Sequence, residues 1–148
     1  EPGPPNEPRT WRLTRWTGTA WKTSEICRSD HNYDMGSLTV APDRWRLLAP
    51  TEPGPQPHHG GGEIACRESR DHGNTWHFQH QLTRNSPRNH NYVRRPLDAA
   101  DPFCAFWADG DPTRLSPSFL YFTNAAADRV WRLPPEMQGE TAEPEGIT

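Results

Sequence analysis

Ser69-Arg70-Asp71-His72-Gly73-Asn74-Thr75-Trp76 is the stretch whose reading decides the fold. It follows the pattern S-x-D-x-G-x-T-W, and each fixed residue has a separate task. Asp71 is suited to accept hydrogen bonds from backbone N–H groups inside a tight turn. Gly73 permits positive φ without a side-chain clash. The Ser69 and Thr75 hydroxyls tie the ends of the turn. Trp76 opens the next strand and buries a large ring. The octapeptide therefore predicts a strand, a turn and a returning strand.

Working outward, residues 63–68 and 76–82 supply those two strands. Towards the N-terminus, Trp45 to Ala49 and Gly36 to Val40 read as strands joined by a Pro42-Asp43 turn. Before them, Trp11, Leu13 and Trp16 lead into Thr17-Gly18, and Ala20-Trp21 resume, which is a hairpin signal that continues to Ile26-Cys27. Towards the C-terminus, Tyr92-Val93 and residues 103–107, 119–122 and 130–133 complete the series. No stretch holds a 3.6-residue apolar period. The expectation is an all-β chain whose strands fall in groups of four: one from Gly36 to Leu82, one from His90 to Leu133, and residues 10–28 as the last two strands of an earlier group. That is about two and a half four-stranded antiparallel units, the way propeller blades are built. Residues 1–9 read as a Pro-rich lead-in, 10–137 as the folded part and 138–148 as a frayed polar tail.

Composition narrows the function. The chain has 148 residues, with 16 Lys+Arg against 19 Asp+Glu and a net charge of −3. A nucleic-acid binder driven by phosphate neutralisation would be clearly basic, so no nucleic-acid partner is expected. No apolar run approaches the roughly 20 residues of a membrane helix, so no membrane partner is expected. The mean hydropathy is −1.00, yet 10% of residues are aromatic, which argues against a disordered chain. Cys27, Cys66 and Cys104 are far apart and match no zinc spacing. They read as free thiols, with one disulfide and a spare as the alternative.

The octapeptide resembles the Asp-box, or bacterial neuraminidase repeat, of sialidase-like β-propellers. The segments 31–38, 49–55, 61–63, 89–96, 106–110 and 120–122 are similar to one branch, the BNR-repeat-containing polysaccharide-associated propellers that include ulvan lyases. The likeness covers residues 10–137. It implies a partial propeller, with the Asp-box residues Ser69, Asp71, Gly73, Thr75 and Trp76 structural and distant from the chemistry. A propeller needs roughly 4–8 blades to close, so the chain is read as the C-terminal part of a longer protein, its partners being a polysaccharide and the remainder of its own propeller. A secreted or periplasmic location is inferred from that substrate class.

Two segments would enter innermost strands, 31–34 and 90–95. By strand alternation His90, Tyr92 and Arg94 would share one face. That set suits β-elimination at a uronic acid, in which a base removes the proton α to the carboxylate while positive charge holds the developing enolate. The expected catalytic residues are His31, His90, Tyr92 and Arg94. The expected substrate contacts are Asn32, Tyr33, Arg95, Trp107 and Asp109. Inner-strand residues of these types also line channels without any catalytic role. His58-His59 with Cys66 and His72 are zinc-competent donors without a compact motif, and Asp109-Gly110-Asp111-Pro112 lacks the spacing of a calcium loop. No metal and no other cofactor is therefore expected, a structural metal being the alternative. An exo-acting sialidase-type glycoside hydrolase is the enzymatic alternative, ranked below the lyase because no Tyr/Glu nucleophile pair is visible. A glycan-binding or structural module is the non-enzymatic rival.

Overall fold

The computed structural model describes residues 8–30, 34–57 and 60–147. Among them there is no helix. Eleven strands run in chain order: β1 Arg9–Trp16, β2 Trp21–Ser29, β3 Ser37–Val40, β4 Trp45–Glu52, β5 Glu63–Ser69, β6 His77–Gln81, β7 Asn89–Arg94, β8 Ala105–Gly110, β9 Leu120–Thr123, β10 Val130–Arg132 and β11 Glu145–Gly146. They form three antiparallel sheets, β1-β2, β3-β4-β5-β6 and β7-β8-β9-β10-β11, each strand paired with its sequence neighbours. No sheet closes on itself. The first two sheets and the first four strands of the third fall where the sequence grouping put them.

The last strand corrects one expectation. The tail is not frayed throughout: it returns to pair Gly146 with Trp131 and Glu145 with Arg132. Arg132 also donates to Glu145 Oε2 at 2.5 Å. The ion pair and the ladder together compensate for the polar composition that suggested fraying.

Alternation along β4 shows how the sheets stack. Leu47 and Leu48 are neighbours in sequence and point to opposite faces. Leu47 and Ala49 pack with Ile26, Trp11, Leu13, Leu38 and Trp76, which joins the first sheet to the second. Leu48 packs with Ile64, Cys66 and Leu82 of its own sheet region and with Val93, Ala105, Trp107, Tyr121 and Val130 of the third. The middle sheet is thus covered on both faces, which is why β4 and β5 are almost continuously buried. Cys27, Cys66 and Cys104 are all free.

The 69–76 turn is built as its residue types dictate. Asp71 Oδ1 accepts from Ser69 Oγ at 2.7 Å, Asn74 N at 3.0 Å and Thr75 N at 2.9 Å, and Oδ2 accepts from Thr75 Oγ1 at 2.7 Å. Ser69 Oγ in turn accepts from Gly73 N at 2.8 Å. These donors hold the Asp71 carboxyl well below the usual carboxylate range. Gly73 has φ +80°, and a Cβ there would lie 2.7 Å from Trp45 Cζ3 and 2.8 Å from Leu13 Cδ2. Its carbonyl accepts from Ser24 Oγ of β2. The turn therefore also fixes the first hairpin against the middle sheet. Trp76 packs in the core shared by those two sheets.

Candidate functional site

Opposite that turn, the Glu63 end of β5 meets the start of β7. Gly62 and His90 exchange two backbone hydrogen bonds, of 2.8 and 2.9 Å. Gly61 permits this approach: its φ is +89°, and a Cβ would lie 2.5 Å from the His90 carbonyl. Next to it Asn89 and Gln56 lock together, with Asn89 N on Gln56 Oε1 at 2.8 Å, Asn89 Nδ2 on Gln56 O at 2.9 Å and Gln56 N on Asn89 Oδ1 at 3.1 Å. The 53–57 loop is thereby pinned to β7.

A buried polar chain runs through this junction. Trp107 Nε1 donates to His90 Nδ1 at 3.0 Å. That bond assigns the proton of the neutral ring to Nε2, which donates to Ser86 Oγ at 2.8 Å. Ser86 Oγ donates to Glu63 Oε2 at 2.9 Å, and Ser86 N donates to Glu63 Oε1 at 2.8 Å. Alongside, Asp109 Oδ2 accepts from Arg88 Nη2 at 2.8 Å and Nε at 3.1 Å and from Tyr121 Oη at 3.0 Å, while Oδ1 accepts from Phe119 N at 2.7 Å. Burial pushes the His90 pKa down to about 4, against the opposing pull of Glu63 and Asp109. Burial, with the Asp109 charge and hydrogen bond, pushes the Tyr121 phenol up to about 12.

This arrangement changes the role open to three expected site residues. His90, Trp107 and Asp109 are 2%, 1% and 2% exposed. Both ring nitrogens of His90 are engaged by protein groups. These side chains hold β7 and β8 in place and do not reach an open surface here.

The expected shared face of His90, Tyr92 and Arg94 is also corrected. The β7–β8 register shifts between Asn91 and Arg94, so that Asn91 faces Ala108 and Arg94 faces Phe106. Tyr92 adopts φ +57° at this bulge, which reverses the alternation beyond it. His90 and Val93 turn inward, while Tyr92 and Arg94 turn out together. A left-handed tyrosine is strained and persists only where its surroundings fix it. Asp34 does this: Oδ2 accepts from Tyr92 N at 2.9 Å, and Oδ1 accepts from Met35 N at 2.6 Å. Burial pushes the Asp34 carboxyl up, opposed by those two N–H donors and by the Arg94 charge.

The exposed group is therefore Tyr92 and Arg94 over Asp34. The Arg94 guanidinium lies 5.6 Å from the Tyr92 ring centre and is anchored by its bond to the Val93 carbonyl at 3.0 Å. Among the described residues it has no carboxylate partner within ion-pair distance. Arg95 leaves this group and donates to Thr39 Oγ1 at 3.3 Å. His31, Asn32, Tyr33, His58 and His59 lie outside the described residues.

Sequence reasoning did not select Asp34, Glu63, Ser86, Arg88 or Tyr121. Asp34 had one available signal, its place beside the expected inner-strand entry. The other four had none, because each partner lies in another segment. The 109–112 stretch is a turn: Asp111 Oδ1 accepts from Thr113 N at 2.9 Å and Thr113 Oγ1 at 2.6 Å, and Oδ2 accepts from Arg114 Nε at 2.9 Å. Among the described residues, no three His, Cys, Asp or Glu side chains converge in a metal-holding group. No protein-family model, curated protein or solved structure matches this chain, and the functional reading rests on its own geometry.

Proposed function

We propose that the chain is part of a sialidase-like β-propeller protein that acts on a uronate-containing or otherwise polyanionic polysaccharide by β-elimination. The observation that supports this most is the exposed Tyr92–Arg94 pair, held at a strained bulge by Asp34. Strain of this kind clusters at functional positions. Among the described residues Arg94 has no carboxylate within ion-pair distance, and its guanidinium suits a sugar carboxylate. In the proposed reaction Tyr92 Oη, acting as the base, takes the proton α to that carboxylate. The C–H electron pair becomes the new C=C bond as the bond to the glycosidic oxygen breaks. The same proton returns from Tyr92 to the leaving oxygen. Arg94 stabilises the enolate charge that develops between these events.

A second reading, a glycan-binding module without chemistry, is favoured by the engagement of both His90 nitrogens, which leaves no described histidine beside Tyr92.

Both readings are tested on the complete protein that carries this chain, with polyuronate as substrate. Elimination creates a conjugated double bond that absorbs in the ultraviolet, while hydrolysis creates only reducing ends. Tyr92→Phe is expected to lower the ultraviolet rate at least ~100-fold, the usual share of acid–base catalysis. Arg94→Ala is expected to weaken binding as well. Retention of polyuronate by wild type, lost in Arg94→Ala, with neither signal rising, establishes the binding module instead. Full activity in both variants overturns the site.

A further inference from the structure

Behind the bulge, a cavity of about 220 Å³ opens between the middle and third sheets, and its lining includes Thr39, Arg44, Arg46, Arg95, Cys104 and Asn124. Its side chains are fixed from both sheets. Arg46 reaches Glu68 Oε1 through Nε at 3.0 Å and Nη2 at 2.8 Å, and its Nη1 donates to the Ala125 carbonyl across the gap. Arg95 comes from the other side to Thr39 Oγ1 at 3.3 Å.

The arginines of the cleft are unevenly paired. Glu68 is contacted by Arg46 at 2.8 Å, by Arg44 at 3.7 Å and by Arg70 at 4.0 Å. Its one negative charge is already committed to Arg46. Asp101, the other carboxylate near Cys104, accepts from Ala125 N at 2.7 Å. Three guanidiniums, of Arg44, Arg46 and Arg95, line the cleft; of the carboxylates at its edge, Glu68 is held by Arg46 and Asp128 accepts from Asn124 Nδ2 at 2.7 Å. Arg95 has no ion-pair partner among the described residues, and Arg44, with its side chain 42% exposed, has only the loose contact to Glu68. Cys104 lines the same cleft; burial and the Asp101 charge push its thiol up, against the opposing charges of Arg95 and Arg46.

We infer that this cleft is an anion-binding site, separate from the Tyr92–Arg94 pair, that takes a single oxyanion group between Arg44 and Arg95 with the Thr39 hydroxyl as a further partner. The volume is below the ~300 Å³ at which pockets for whole small molecules begin, so the occupant is one sulfate, phosphate or carboxylate group. It is either a free ion or a group carried on a sugar chain. Guanidinium forks suit such groups because they present paired donors to planar or tetrahedral oxygens.

Cys104 reports on the cleft without any assay of activity. The wild-type protein is alkylated with neutral iodoacetamide or anionic iodoacetate, and modification is read separately on the Cys104 and Cys27 peptides by mass spectrometry. Sodium sulfate is expected to slow modification of Cys104 several-fold relative to sodium chloride at equal ionic strength, and to leave Cys27 unchanged. The iodoacetate-to-iodoacetamide rate ratio at Cys104 is expected to fall several-fold in Arg44→Gln/Arg95→Gln. Protection by a sulfated or uronate oligosaccharide at lower concentration than inorganic sulfate or phosphate identifies a sugar-borne group, and equal protection identifies a free ion. Identical Cys104 rates in sulfate, phosphate, oligosaccharide and chloride overturn the proposal, and that measurement requires no variant to fold.

Discussion

At the Ser69 end of β5, the Asp71 carboxylate is satisfied by donors that all lie within four residues of it. At the Glu63 end, about 20 Å away at ~3.3 Å per residue, the Asp109 carboxylate draws on groups 10, 12 and 21 residues distant. Both carboxylates are fully hydrogen-bonded, yet they are different kinds of object. The first is a local turn that forms wherever its eight residues are placed. The second exists only after β7, β8 and β9 have paired into the third sheet. The first is exposed to water and tolerant, while the second is buried, and removal of one partner strands another charge.

The largest expected effect therefore falls on the distant network. Asp109→Ala leaves Arg88 without its carboxylate in a buried setting and should destabilise by about 3–5 kcal/mol in urea unfolding. Asp109→Asn keeps the volume and loses the charge, so it should cost less than the alanine variant. An equal cost would show that packing, and not the ion pair, holds this end.

Gly73→Ala tests the one respect in which the local turn is not local. Its φ is +80° and its Cβ would press on Trp45 and Leu13. Left-handed strain and overpacking together predict a loss of about 2–4 kcal/mol. A neutral result would mean that the turn does not clamp the first hairpin to the middle sheet.

The two ends should also separate in acid. Burial lowers the folded His90 pKa to about 4 from 6.5. A depressed pKa contributes stability that is complete above the unfolded value of 6.5, so this contribution is lost as pH falls from 6.5 to about 4, by at most ~1.4 kcal/mol per pH unit. Trp107→Phe removes the N–H that occupies Nδ1, where a second proton would have to sit. It should cost about 1–3 kcal/mol at neutral pH, whereas His90→Gln, which removes the titrating ring, should flatten the dependence between pH 6.5 and 4. Urea titrations across that window check both effects. A slope as steep as that of wild type would sink the assignment to His90.

Asp71→Asn should be the mildest change at neutral pH. Its folded pKa is also depressed, so its contribution is present above 3.8 and lost as pH falls below that value. Acid unfolding below 3.8 should be less steep in the variant, with polyuronate binding unchanged. A loss of binding in a variant that melts normally would place chemistry at the turn.

The same contrast explains what was legible before any coordinates. The strand grouping could be read because Leu47-Leu48, the Pro42-Asp43 turn and the Thr17-Gly18 turn act over a few peptide bonds. The orientation of Tyr92 could not be read. Period-2 alternation assumes an uninterrupted ladder, and the bulge that breaks it is held by Asp34, which lies 58 residues earlier. Likewise no pattern around Ser86 announces that its hydroxyl joins His90 to Glu63.

The sequence by itself determined the all-β class, the grouping of β1 to β10 and the construction of the 69–76 turn, because backbone preferences, alternation and short-range hydrogen bonds are settled among near neighbours. Only the tertiary structure decided that His90, Trp107 and Asp109 are buried, that Tyr92 and Arg94 stand out together over Asp34, and that Arg95 turns towards Thr39. Those outcomes depend on which face of one sheet meets another. Packing selects that arrangement by burying apolar surface and satisfying every enclosed polar group at once.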